Sequence, residues 1–210
     1  MAVSAVVFAA PVAAPAFADA TLIEKGKTVF DTVAGLGCKG CHGDYGEGDL
    51  GVGPFIRGAT EGSIRAAIEG IGAMVVVKSS ISEDDIKAVS VYVSGLGSRQ
   101  VVRTMAKRGR FLPADLSVYP GTEVQLVVQN TSTKAHTFMS DNMGTPAISL
   151  AGRKTGSLSW QVPEQEGAYT LYCSDCKRKG QFFTIKVSKD AKPFLAVKPP
   201  SKGIDDSSNM

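Results

Sequence analysis

Histidine is the scarce residue in this chain of 210: there are two, His42 and His136, beside four cysteines. A histidine used at one site is missing from any other, so a centre built from several imidazoles is limited by counting alone. One-signed charge is also lacking, since 23 Lys and Arg against 20 Asp and Glu leave a formal +3. That is far from the dense basic footprint of a dedicated nucleic-acid binder, and no nucleic-acid partner is expected. With 43% hydrophobic and 20% charged residues, the composition is neither disordered, collagenous nor polytopic, and suits one large domain or two small ones.

The first eighteen residues contain no charge and end in Ala16-Phe17-Ala18. Small residues at 16 and 18 form an export cleavage site ahead of Asp19, although the usual positive start is missing. Left uncleaved, the segment would associate the protein with a membrane. Two prolines and a span below the ~20 residues of a membrane helix argue against that. Export to the periplasm, where cysteine pairs can stay oxidised, is the expectation.

Charge is unevenly shared: residues 19–97 carry a net −4 and residues 98–210 a net +7. With the punctuation Ser94-Gly95-Leu96-Gly97-Ser98, this asymmetry predicts two modules, 19–97 and 98–189, followed by a flexible tail, 190–210. In the first, Leu22, Ile23, Phe30 and Val33 predict a helix over 21–34, and Ile64, Ala67, Ile68 and Ile71 a second. Ser82 followed by Glu83, Asp84 and Asp85 caps a third, with Ile86, Val89 and Val93 facing inward up to Gly95. So little regular structure cannot bury a core unaided, and something else should fill the middle. In the second module Asp115–Tyr119, Glu123–Val128, Tyr169–Tyr172 and Phe182–Val187 read as strands of a small antiparallel sandwich. Trp160, Tyr172 and Phe182 are expected in its core.

Cys38-Lys39-Gly40-Cys41-His42 is the strongest motif. Two thiols at this spacing can add to the vinyl groups of a haem while the next imidazole takes the iron. The alternative is a redox or disulfide pair with an incidental histidine. Together with the preceding helix, Gly53-Pro54, the stretch Ile68-Glu69-Gly70-Ile71-Gly72-Ala73-Met74 and the apolar last helix, the motif makes residues 19–97 resemble an all-α class I cytochrome c. The resemblance implies one covalent haem c held by Cys38 and Cys41, with His42 and Met74 as axial ligands. Counting agrees, because Met74 is the only methionine between 19 and 97. The proline that often follows this methionine in the family is replaced here by Val75-Val76-Val77.

Residues 100–188 resemble a cupredoxin, an all-β Greek-key sandwich. The likeness lies in Leu116–Val124, in Val128-Gln129-Asn130-Thr131 leading to His136, and in Gly167–Cys173 with the strand after it. It implies copper bound by His136 and Cys173, but the second histidine of the family is absent. Cys176 stands in its place, and Gln181 where an axial methionine would be. With His42 given to haem, an ordinary two-histidine blue copper centre cannot be assembled within the chain. Three readings stay open: a structural Cys173–Cys176 disulfide without copper, a modified soft copper site using His136, Cys173, Cys176 and Met139, Met143 or Gln181, or a dithiol redox pair. Lys177, Arg178 and Lys179, with Lys107, Arg108 and Arg110, offer a docking face for an acidic redox partner. The function expected is electron transfer without substrate turnover, the alternative being copper handling or a subunit of a copper or haem oxidoreductase.

Overall fold

The computed structural model describes residues 17–48, 52–176 and 181–196. The export segment up to residue 16, the basic run Lys177-Arg178-Lys179 and the tail beyond 196 lie outside them. Helices come first: α1 (Phe17–Thr32), α2 (Lys39–His42), α3 (Glu61–Gly70), α4 (Val75–Lys78) and α5 (Glu83–Leu96). Ala34 and Gly35 adopt left-handed backbone (φ 53° and 81°), which stops α1 short of the predicted residue 34. The third predicted helix starts where expected. Ser82 Oγ accepts the Asp85 N–H at 3.2 Å, and the Asp85 carboxylate accepts the Ser82 N–H at 3.2 Å, closing a capping box.

Helices α1 and α5 cross in direct contact because Gly26 has no side chain. A Cβ built there would lie 2.1 Å from the carbonyl oxygen of Ala88. Beside the crossing, Phe30 and Tyr92 pack with ring centroids 5.3 Å apart. Among the described residues only Phe30, Val89 and Val93 form the fully buried apolar cluster here. Ile56, Ile64, Ile68, Val77 and Ile81 line a cleft beside this cluster.

Nine strands follow: β1 (Gln100–Lys107), β2 (Arg110–Leu112), β3 (Asp115–Val118), β4 (Glu123–Asn130), β5 (His136–Met139), β6 (Ile148–Leu150), β7 (Thr155–Gln161), β8 (Gly167–Cys173) and β9 (Phe182–Val187). They form two sheets, β2-β1-β4-β7 and β3-β9-β8-β5-β6. The sandwich is mixed, not antiparallel as expected, because β1 runs parallel to β4 and β3 parallel to β9. Strand β1 went unread because Arg103 interrupts its apolar run and no strict alternation marks it. Sixteen buried apolar residues form one continuous cluster between the sheets, whereas the cluster joining α1 to α5 holds three. Trp160 belongs to that core. Tyr172 and Phe182 do not: their rings pack edge-on at the surface, 6.1 Å apart, and the Tyr172 hydroxyl donates to Asp141 at 2.8 Å. Part of the tail expected to be flexible, Lys192 to Leu195, lies beside Gln100 at the start of β1.

Arg57 bridges the two parts. It comes from the loop before α3 and is almost fully buried. Its Nη1 donates to the Tyr45 carbonyl at 2.9 Å and to Gln125 Oε1 at 2.7 Å, and its Nη2 to the Arg99 carbonyl at 3.2 Å. Gln125 sits on the outer face of β4, opposite the core-facing Val124 and Leu126, and its Nε2 donates to Ser157 Oγ at 3.0 Å. Burial lowers the guanidinium pKa to about 10, which leaves Arg57 charged at neutral pH.

Two measurements of stability follow from these contacts. Ala exceeds Gly in helix propensity by about 1 kcal/mol, yet Gly26→Ala is expected to destabilise by about 1–3 kcal/mol through overpacking against Ala88. A gain in urea-midpoint stability would show that the two helices do not touch. Gln125→Leu removes one acceptor from a buried cation, and is expected to cost about 1–3 kcal/mol in the same assay.

Candidate functional site

Cys38, Cys41 and His42 of the motif and the sequence-distant Met74 line one cleft of about 330 Å³. Its walls are apolar: Ile56, Ile64, Ile68, Val77, Val89 and Val93. Helix α2 is one turn long and ends on His42, whose ring is buried. Nδ1 of His42 lies 2.8 Å from the carbonyl oxygen of Pro54. A carbonyl only accepts, so Nδ1 carries the proton and Nε2 keeps a free lone pair. This approach depends on Gly53, where a Cβ would stand 2.5 Å from the Cys41 carbonyl oxygen and 3.0 Å from Nδ1 itself. Met74 ends a 3₁₀ turn, Gly72–Met74, that leads straight into α4. The valines after it, in place of the family's proline, form that short helix.

Cys38 and Cys41 are both free thiols. Burial pushes the Cys38 thiol up to about 11, whereas Cys41 is exposed. The parts that a covalently attached haem requires are therefore assembled: two unpaired thiols, an imidazole with a fixed tautomer, a thioether and an apolar cavity. Val52, Phe55 and Ile71 line the cleft while remaining more than half exposed, an apolar rim that a flat apolar group would cover.

The second constellation lies at one end of the sandwich. His136 opens β5, Cys173 closes β8, and Cys176 follows three residues later. Asn130 sets the position of His136, since its buried amide donates to the carbonyls of Lys134, Leu150 and Ala151 at 2.8–3.1 Å and so fixes the intervening loop. Cys173 and Cys176 form a disulfide. Asp175, between them, was not anticipated from the sequence, although its place inside the cysteine pair was the available signal. Its Oδ2 is 3.3 Å from His136 Nδ1, and its Oδ1 accepts the Thr137 N–H at 3.0 Å. That N–H, then His136, hold the carboxyl pKa below its usual value. Gln181 borders the adjoining cavity of about 440 Å³, together with Arg108, Arg110 and Lys134. Met143 is buried in the sandwich core.

A profile of the cupredoxin-like domain matches residues 75–183. The chain belongs to this family. The matched stretch of the cupredoxin-like domain begins inside the helical part, at α4, and ends in β9. Among solved structures, the chain is similar to the metal-binding domain of the Cu(I)-exporting P-type ATPase CopA of Streptococcus pneumoniae D39, at 15% identity over 44% of this chain and 88% of that one, with a TM-score of 0.38. It is also similar to a purple cupredoxin from Nitrosopumilus maritimus, at 21% identity over 41% and 99% of the two chains, TM-score 0.30. Auracyanin A, a "blue" copper protein of Chloroflexus aurantiacus, matches at 16% identity over 42% and 98%, TM-score 0.35. No curated protein matches the chain.

Copper is the metal that such a domain brings to mind, and the residues at its end do not provide the usual centre. In the disulfide form there is no thiolate, and His136 is a single imidazole. The described residues therefore do not fit a blue copper ion in this state.

The two thiols of the cleft should differ in reactivity. In haem-free protein at pH 8, iodoacetamide should modify Cys41 well before Cys38, and the Cys38 rate should climb steeply only as pH approaches 11. Peptide mapping after timed quenching reads both rates, and equal rates would contradict the buried position of Cys38.

Proposed function

We propose that this protein is an exported, periplasmic electron carrier whose helical part holds one haem through Cys38 and Cys41, with His42 and Met74 as axial ligands. The convergence of these four residues on one apolar cleft carries the reading. When bound, the haem supplies a one-electron iron couple. The Pro54 carbonyl holds His42 Nδ1–H and so aims Nε2 into the cleft, and the isoleucine and valine walls exclude water and favour a raised potential. Met74 would supply a second side-chain ligand to the iron, which would leave no open place for a substrate and makes a carrier the better reading than an enzyme.

The sandwich serves as a docking body. Arg108, Arg110 and Lys134 gather beside one cavity at its end, and in the sequence Lys177, Arg178 and Lys179 follow Cys176 directly. A cationic rim of this kind speeds encounter with an acidic redox partner more than it deepens affinity.

A second reading, copper handling by the sandwich, is favoured by one observation. His136, Cys173, Asp175 and Cys176 place one donor atom each within 4.8 Å of the others. Its soft donors suit a copper(I) cargo rather than a blue electron-transfer centre.

Optical spectroscopy tests the first reading. The ferric protein is expected to show a methionine-to-iron charge-transfer band and to bind cyanide slowly, whereas Met74→Ala should lose the band and bind cyanide readily. A ferric wild type that lacks the band would remove Met74 from the iron.

A further inference from the structure

The cysteine-bearing loop at the end of the sandwich is held in place by more than its disulfide. Asp175 Oδ1 accepts the Thr137 N–H at 3.0 Å, Ser174 N–H donates to the Thr137 carbonyl at 2.9 Å, and Ser174 Oγ donates to the same oxygen at 3.2 Å. These bonds tie the loop to β5, the strand that carries His136. Cys173 is itself the last residue of β8, paired with Phe138. When the S–S bond opens, Cys173 therefore stays held by β8 beside the imidazole, and Cys176 follows directly on the anchored Asp175.

We propose that the Cys173–Cys176 disulfide is a redox lock on a metal site: its two-electron reduction yields a dithiol that, with His136, holds one Cu(I) ion. The proposal rests on the copper-handling reading and adds its regulation. Reduction proceeds by thiol–disulfide exchange with an external dithiol protein or small dithiol. One reductant thiolate attacks a sulfur of the pair, the second releases the mixed disulfide, and the products are an oxidised reductant and two protein thiols. On metal uptake these two thiols lose their protons to solvent.

The donor set selects the ion. Two thiolates and one imidazole form a soft, low-coordinate set that suits Cu(I). Asp175 is already engaged by the Thr137 N–H and faces His136 Nδ1 at 3.3 Å. It acts as a positioning residue that orients the ring and leaves Nε2 for the metal, not as the fourth ligand that Zn(II) would require. Cu(I) with two thiolates and a neutral imidazole carries a net negative charge, and Arg108, Arg110 and Lys134 around the adjoining cavity offset it.

The test uses the full haem-loaded chain, so that Cys38 and Cys41 are consumed. One portion is kept oxidised; the other is reduced with dithiothreitol and freed of it anaerobically. Each is titrated against the Cu(I)–bicinchoninate complex, whose visible absorbance falls as copper leaves it. The reduced chain is expected to take one Cu(I) and the oxidised chain none, with no variant needed. Cys173→Ser with Cys176→Ser should take none under either condition, and Asp175→Asn should weaken uptake by about 10- to 100-fold while keeping the stoichiometry. If reduced protein takes no copper, the lock and the copper-handling reading fall together. If oxidised and reduced protein take it equally, the reading survives and the lock is refuted. Preference of the reduced chain for Zn(II) over Cu(I) in direct competition would also overturn the proposal.

Discussion

The helical part encloses a cleft where a core would otherwise be, and its architecture depends on that constraint. Phe30, Val89 and Val93 pack α1 against α5, while Ile64, Ile68, Val77 and Met74 line the cleft. A guest that filled this cleft would add apolar contact, so ligand binding and stability would be linked by mass action. Gly26 and Gly53 serve opposite sides of the same design. The first lets two helices touch, and the second lets a loop carbonyl reach the imidazole.

The sandwich has no such need. Its strands bury Phe138, Phe183, Leu126, Leu171 and Ile185 completely, and its end is free to carry chemistry without bearing the fold. Asn130 uses its buried amide to fix a loop rather than to bind a ligand. The same division is common where function sits on loops held by a rigid scaffold.

Much of this organisation was legible in the residues. The helix cap at Ser82 and the strands around Val124, Tyr169 and Ile185 follow from local chemistry and short periodicity. The parallel pairings of β1 with β4 and β3 with β9 were not legible, because strand direction is decided by chain crossovers that no local pattern records. The cleft residues were found through one motif and a methionine count. Asp175 and Arg57 were missed for a shared reason: each acts through partners distant in sequence, Thr137 and His136 for one, Gln125 and Arg99 for the other. The aromatic expectation failed at Tyr172 and Phe182 because an aromatic at a strand end can satisfy itself with a neighbouring ring and one hydroxyl contact.

Arg57 makes the boundary between helices and strands a physical seam rather than a convenient place to cut. Gln125 and Val127, on the outer face of β4, are as buried as residues of the inner face. A fragment beginning at β1 would leave Gln125 without its Arg57 partner, and a fragment ending before it would strand a buried cation. The halves differ in charge and chemistry, yet neither is a detachable part. Through Arg57 the loop before α3 is tied to the outer face of β4, so a substitution on either side of the contact is felt on the other.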